Sequence, residues 1–158
     1  MRYDVVIIGA GAAGFACALT LGSANDKFDW AKDKKYLILD DNKSDLNVGK
    51  YFNVAGVDSG INGVDLLLKM KKQLEIYKDV ELKDEKATKI ENLGEYFKIT
   101  TENSTYEASI VVLATGLHKF DIECEGVNVK DNIFVPKPNN IYLENSNNLI
   151  YKNLYVAG

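Results

Sequence analysis

Three glycines, Gly9, Gly11 and Gly14, stand in the stretch Gly9-Ala10-Gly11-Ala12-Ala13-Gly14 at the spacing G-x-G-x-x-G. An apolar run of β-branched residues, Val5-Val6-Ile7-Ile8, precedes them, and an Ala- and Leu-rich stretch follows. A glycine loop between a buried strand and a helix is a device for holding a diphosphate. The first glycine permits the sharp turn, the second lets the backbone approach the anion, and the third lets helix and strand pack closely. The free N–H groups and positive dipole end of the helix then face the negative charge. Asp40 ends a second apolar run, Tyr36-Leu37-Ile38-Leu39, and stands where an acid would accept hydrogen bonds from an adenosine ribose. Its charge would repel a 2′-phosphate, which argues against NADP at this site. Gly14 and Asp40 are further apart than the usual ~20 residues, and the charged segment Ser23 to Lys35 absorbs the excess as a solvated loop.

The remaining reactive side chains carry little pattern. Cys17 lies among Ala16, Ala18 and Leu19 and reads as buried filler, while Cys124 lies between Glu123 and Glu125, an acidic setting that dulls a thiol, and reads as a surface loop cysteine. Neither belongs to a Cys-x-x-Cys pair, a usage that suits a reducing cytoplasm. His118, the single histidine, has no spacing motif around it and reads as solvated rather than as a proton relay. Lys69, Lys71 and Lys72 read as one solvated helix side. Phe28 and Trp30 suit either a core anchor or a partner contact.

The elements that position the loop follow from periodicity. After the strand at Val5–Ile8 the composition predicts a helix from about Ala12 to Leu21, ended by Gly22. Asp41 to Gly63 is irregular. Asn62 reads as a helix N-cap with Asp65 placed to complete a box-like exchange, and Val64, Leu67, Leu68, Leu74 and Tyr77 recur at helical spacing. Val80 to Leu82 is a short third strand. Three stretches of period two, Lys86–Glu91, Tyr96–Thr101 and Ser104–Glu107, predict an antiparallel meander over about 86–108. Ile110–Leu113 then returns to the fully buried type, and residues 117–153 read as loop with short strands. The fold expected is a single α/β domain over 1–158: a Rossmann-like, FAD/NAD(P)-binding, three-layer arrangement with a central parallel sheet and an antiparallel β-meander. A formal net charge of −4 offers no field for nucleic acid, and no stretch approaches a membrane-spanning length. The amino terminus carries no signal-peptide core.

A glycine fingerprint alone does not separate FAD from NAD, and three further stretches bear on the choice. They are Tyr51-Phe52-Asn53-Val54-Ala55-Gly56 with Gly60-Ile61-Asn62-Gly63-Val64-Asp65-Leu66, then Val111-Val112-Leu113-Ala114-Thr115-Gly116, then Asn153-Leu154-Tyr155-Val156-Ala157-Gly158. On these the chain resembles the FAD domain of the thioredoxin reductase-like branch of the pyridine nucleotide-disulfide oxidoreductases. The resemblance implies FAD as cofactor. It places Asn53 toward the flavin, Lys86 and Ala87 beside the adenine, Ala114, Thr115 and Gly116 at a close turn by the cofactor, and Gly158 just before the family's flavin-holding aspartate. The chain departs from the family in two respects: the stretch after Gly116 is too short for the inserted NAD(P)H domain with its Cys-x-x-Cys, and the sequence stops one residue before the aspartate and the closing helix, which either lie beyond residue 158, the reading favoured here, or leave the flavin end of the site open. An FAD-dependent oxidoreductase, or the flavin-carrying part of one, would then draw electrons from a separate NAD(P)H-binding or redox partner protein. Family members are commonly dimers, which implies a homodimer as one assembly. The alternative is a non-catalytic FAD- or NAD-binding module that regulates or assembles with a partner. A weaker third reading makes the loop the NAD site of a dehydrogenase.

Overall fold

The computed structural model describes residues 2–116 and 122–125, together with the backbone of strands 135–137 and 140–142; Cys124 is likewise described by its backbone. Strand β1 (Arg2–Ile8) forms where sequence analysis expects it, and its residues are covered on both faces. That double covering is why it reads as a continuous apolar run. β1 pairs in parallel with β2 (Tyr36–Asp40) on one side and with β8 (Thr105–Leu113) on the other. β5 (Val80–Asp84) extends the parallel part beyond β2. β7 (Phe97–Thr101) pairs antiparallel to β8, β6 (Ala87–Asn92) antiparallel to β7, and β9 (Glu123–Glu125) parallel to β6. The order across this seven-stranded sheet is β5-β2-β1-β8-β7-β6-β9. Two small hairpin-like pairs stand apart, β3 (Lys50–Tyr51) with β4 (Ile61–Asn62), and β10 (Val135–Lys137) with β11 (Asn140–Tyr142).

Alternation along β1 divides the interior into two cores. Val5 and Ile7 point to one side, where Tyr36 and Ile38 of β2 meet Phe15 and Ala18 of helix α1 (Ala12–Asn25) and Leu74 of helix α2 (Gly63–Leu74). Val6 and Ile8 point to the other, where Leu37 and Leu39 meet Ala87, Ile90, Ile99, Tyr106 and Ala108. The meander therefore curls back across the sheet face, giving helices, parallel strands and meander as three layers. The expected α/β Rossmann-like, three-layer fold is the observed one.

Several local expectations need correction. Helix α1 runs on to Asn25, and Gly22 lies buried inside it; a Cβ there would sit 2.8 Å from the Tyr77 ring, so this glycine serves packing rather than helix termination. The segment from Ser23 to Lys35 is not wholly loop. It completes α1, includes a 3-10 turn at Asp29–Ala31, and is tied down by the Asn25 side chain, which accepts from Tyr36 Oη and donates to the Lys34 carbonyl. Phe28 and Trp30 stack on each other at 5.7 Å between centroids and are exposed, which excludes a core role.

Helix α2 begins as expected at Asn62, whose Oδ1 accepts from Asp65 N at 2.8 Å. Its inner face is Leu66, Leu67, Met70 and Leu74, whereas Val64 (48% exposed) and Leu68 (58%) look outward. The run Leu66-Leu67-Leu68 allows either face, and packing against α1 selects the row at spacing four. Tyr77 lies past the helix end and meets Gly22 instead.

The third meander strand and the strand expected at Ile110–Leu113 are one element, β8. Thr105–Ala108 pair with β7 and Glu107–Leu113 with β1, so the two pairings overlap, and no glycine or proline separates Glu107 from Ile110. Nor is that second half fully buried: Ile110 is 55% and Leu113 40% exposed. Cys124 falls in β9, a strand rather than a loop. His118, Leu154–Val156 and Gly158 lie outside the described residues. Among the described residues no helix is long and apolar enough to cross a membrane.

Candidate functional site

The chain leaves β1 on one side of the sheet for β2 and β5 and returns on the other side as β8. Ligands of open α/β sheets bind at such a reversal, in the crevice outside the carboxyl ends of the strands. Here that crevice is lined by Gly9–Gly14 after β1 and by Ala114–Gly116 after β8. Backbone bonds tie the start of each loop to the neighbouring strand: Gly9 N donates to the Leu39 carbonyl of β2 at 2.8 Å, and Ala114 N to the Ile8 carbonyl of β1 at 2.8 Å.

Each glycine of the fingerprint answers to a different constraint. Gly9 has φ +102°, a conformation L side chains rarely adopt, and a Cβ there would lie 2.3 Å from the Ala114 carbonyl oxygen. Gly14 has ordinary helical geometry, yet its Cβ would lie 1.9 Å from the Gly9 carbonyl oxygen. At Gly11 neither reason applies. With φ −75° and ψ −168° any residue could adopt its backbone conformation, and the nearest atom to a Cβ is Ser44 Oγ at an ordinary 3.7 Å. Nothing among the described residues requires glycine at position 11. The bare backbone there leaves a cradle that a Cβ would begin to fill, as close approach of a ligand demands.

The cradle presents unpaired backbone donors and a positive dipole end, the features that suit an anion. Gly11 is the N-cap of α1 with no side-chain cap, and the first turn carries no acidic residue. The N–H groups of Ala12, Ala13 and Gly14 therefore lack intrahelical acceptors and point out of the helix end, where its dipole is positive. Ala10 N is already used: it donates to Asp40 Oδ1 at 2.8 Å, while Asp40 Oδ2 accepts from Asn42 N at 3.2 Å. These bonds fix the Asp40 carboxylate at the edge of the glycine loop on the β2 side. Each oxygen keeps a further lone pair with which to accept a hydroxyl.

The fold thus brings Gly9, Ala10, Gly11, Ala12, Ala13, Gly14, Asp40, Ala114, Thr115 and Gly116 to one end of the sheet. Lys86 and Ala87 follow β5, whose Asp84 is in register with Asp40, so they enter from the same end. Ala87 has its side chain in the core beneath the meander, and Lys86 is half-buried. Asn53 is exposed in the turn between β3 and β4. Sequence reasoning passed over Ser44 and Asp45. They begin the 3-10 turn Asp45–Val48, where Ser44 Oγ accepts from Leu46 N, and they face the glycine loop and Gly116 respectively. The only available signal was Ser-Asp as a capping pair, inside a segment without periodicity.

Cys17 sits half-buried on α1 against the helix-side core, and burial pushes its thiol pKa up, away from the reactive thiolate. Among the described residues no three His, Cys, Asp or Glu side chains converge as a metal site.

A family model described as pyridine nucleotide-disulphide oxidoreductase matches residues 3–157. The chain belongs to that family. It is 32% identical over 114 residues to a thioredoxin reductase of Treponema pallidum (strain Nichols), a stretch that is 72% of this chain and 35% of that protein. Among solved structures it is similar to the thioredoxin reductase of Streptococcus pyogenes MGAS5005, at 34% identity and TM-score 0.61, covering 73% of this chain and 35% of that one. A thioredoxin reductase from Gloeobacter violaceus superposes with TM-score 0.64 at 28% identity, over 73% and 37% of the two chains. The fold is that of the FAD-binding Rossmann-like domains of thioredoxin reductases, and this family member spans little more than a third of the length of these relatives.

Proposed function

We propose that this chain binds FAD in the crevice above β1 and β8 and acts as the flavin-carrying part of an oxidoreductase. The observation that carries the reading is Gly11, a glycine required neither by its backbone conformation nor by contact with any described residue, at the uncapped start of a helix. The free N–H groups of Ala12, Ala13 and Gly14 would hold the diphosphate, Asp40 would accept from the adenosine ribose, and Ala114–Gly116 would form the wall on the other side. Lys86 and Ala87 would lie beside the adenine and Asn53 toward the flavin. The residues present fit the dinucleotide, and the flavin when bound would supply the redox chemistry while the protein fixes its position.

The thiols of this sequence are poor candidates for disulfide exchange, because Cys17 is packed on a helix and Cys124 stands far from it in sequence. Electrons would therefore pass between the flavin and a separate NAD(P)H-binding or redox partner, in the cytoplasm that the cysteine usage suits.

The test is direct. Protein purified after addition of FAD should be yellow and should release flavin on denaturation. Gly11→Val should be colourless while its circular dichroism matches the parent. A parent protein that takes up no FAD, or a Gly11→Val protein that retains it fully, would overturn the proposal.

A further inference from the structure

Between α1 and β2 the chain carries more residues than the nucleotide site needs. The acid that follows a glycine fingerprint stands ~20 residues on, and Asp40 stands further than that from Gly14. The excess is not slack. Phe28 N donates to the Ala24 carbonyl at 2.9 Å, Ala31 N to the Phe28 carbonyl at 3.0 Å and Lys34 N to the Ala31 carbonyl at 3.2 Å, and Ala31 is fully buried. On the return to β2, Lys34 pairs with Asp4 and Lys35 with Asp79, while Asp33 takes a φ of 63°, which few residues other than glycine adopt. The turn so pinned holds Phe28 and Trp30 outward, 52% and 65% exposed, with their rings stacked at an interplanar angle of 18°.

Two large aromatic rings fixed in contact at the surface have the composition of a binding hot spot, and rings already stacked on a pinned turn lose little freedom when they are covered. The charges around them bear on what covers them. Asp26, Lys27, Asp29, Lys32 and Asp33 are all exposed, and among the described residues none of them forms an ion pair. Because acids and lysines interleave, this rim has no single sign with which to select a strongly acidic or strongly basic partner, and its acids would be repelled by an anionic membrane. It is complementary to a rim of its own kind. A twofold axis brings the same patch of two copies together, and a rim that carries both signs then sets acid against lysine around a shared aromatic centre.

We infer that the turn bearing Phe28 and Trp30 is a self-association surface, on which a second copy of this chain seats its own aromatic pair. Such rings bury roughly 150–250 Å² each when fully covered, so exposures of 52% and 65% leave about 250 Å² per copy at the aromatic centre. A standard stable interface takes about 800 Å² per partner. The dimer is therefore weak and forms at micromolar concentration or above. The turn stands at the amino end of β2 and Asp40 at its carboxyl end, about 15 Å away. Pairing thus leaves the crevice open, and the inference does not depend on what binds there.

Trp30 is the single tryptophan of the chain, so its fluorescence reports on this surface directly. With rising protein concentration its emission should move to shorter wavelength as water leaves the ring, over the same range in which analytical ultracentrifugation shows monomer giving way to dimer. By ultracentrifugation, Trp30→Ala should weaken the dimer roughly thirtyfold or more, as truncation of a hot-spot residue does. Phe28→Ala should weaken it as well, and circular dichroism of both variants should match the parent. Lys27→Glu combined with Lys32→Glu leaves only acids on the rim and should abolish pairing at concentrations where the parent is dimeric. A parent that stays monomeric into the millimolar range, a dimer that Trp30→Ala leaves equally stable, or a dimer indifferent to the double lysine reversal would overturn the proposal. An emission shift produced by phosphatidylserine vesicles and not by protein concentration would overturn it too, and would assign the surface to a membrane.

Discussion

Replacing Gly14 and Gly11 separately by alanine should separate folding from binding. At Gly14 the added methyl lands 1.9 Å from the Gly9 carbonyl oxygen and 2.9 Å from its carbon, both backbone atoms of the turn that closes β1. Ordinary contact begins near 3.4 Å, so helix and turn must separate by more than an ångström. Overpacking costs about 1–3 kcal/mol, and an obstacle made of backbone places this case near the upper end. For a chain of this size each kcal/mol lowers Tm by roughly 2–4 °C, giving a loss of about 6–12 °C. At Gly11 the methyl has room and φ is permissive. There the loss of a favoured N-cap residue, about 0.5–1 kcal/mol, is offset by about 0.4–1 kcal/mol from a less flexible unfolded chain. Urea and thermal unfolding of the FAD-free proteins should show Gly14→Ala clearly destabilised and Gly11→Ala close to the parent. FAD titration should show binding weakened in Gly11→Ala. Equal stability of the two variants, or undiminished binding by Gly11→Ala, would refute the division of roles.

Two further outcomes follow from packing and charge. Gly22→Ala should destabilise the apo-protein, and it should cost less in a Tyr77→Ala background, since the atom nearest the added methyl is Tyr77 Cγ at 2.8 Å, ahead of Tyr77 Cβ at 2.9 Å and Val80 Cγ2 at 3.0 Å, and alanine lacks it; strictly additive effects in a double-mutant cycle would contradict that contact. Glu85 accepts from Thr101 Oγ1 at 2.6 Å and Tyr106 Oη at 2.7 Å, and these bonds, that from Thr101 first, hold its carboxyl below the ordinary glutamate value of 4.5. A depressed folded-state pKa gives stability that is present above 4.5 and disappears as the pH falls through the lowered value. Glu85→Gln should therefore unfold at lower urea than the parent at neutral pH, and the difference should shrink below pH 4.5. A difference that stays constant with pH would show that the ionised form contributes nothing.

Local chemistry was legible in the sequence wherever it was also sufficient. Val5–Ile8, the glycine loop and Tyr36–Asp40 sit where their composition puts them, because a strand buried on both faces and a turn with positive φ leave marks on their own residues. Expectations failed where a distant partner decides. Gly22 looks like a helix stop until Tyr77, far along the chain, is seen to occupy the space a Cβ would need. The inner face of α2 was misassigned in part, taking in Val64 and Leu68, because three consecutive leucines fit two stripes equally well. The fusion of two expected strands into β8 was hidden because its halves differ in pattern, one serving the antiparallel meander and the other the parallel sheet. In the site, Asp40 was visible from its place at a strand end, whereas Ser44 and Asp45 acquire meaning only once the loop after β2 is seen to cross to Gly116.

The same contrast bears on what a glycine fingerprint signifies. The spacing G-x-G-x-x-G does not distinguish glycines that the fold needs from one that a ligand needs. In this chain Gly9 is fixed by its positive φ and Gly14 by the Gly9 carbonyl, so both would be required of a strand-turn-helix that bound nothing. Gly11 alone has no such claim on it, and a protein with this fold but no nucleotide would tolerate alanine or serine there, where a side-chain N-cap would stabilise the helix. Leaving the N-cap bare forgoes that stabilisation, and on the proposed function approach of an anion to the exposed amides would be the physical gain that offsets it. The diagnostic content of the motif thus resides in its middle glycine, the position at which binding and stability ask for different residues.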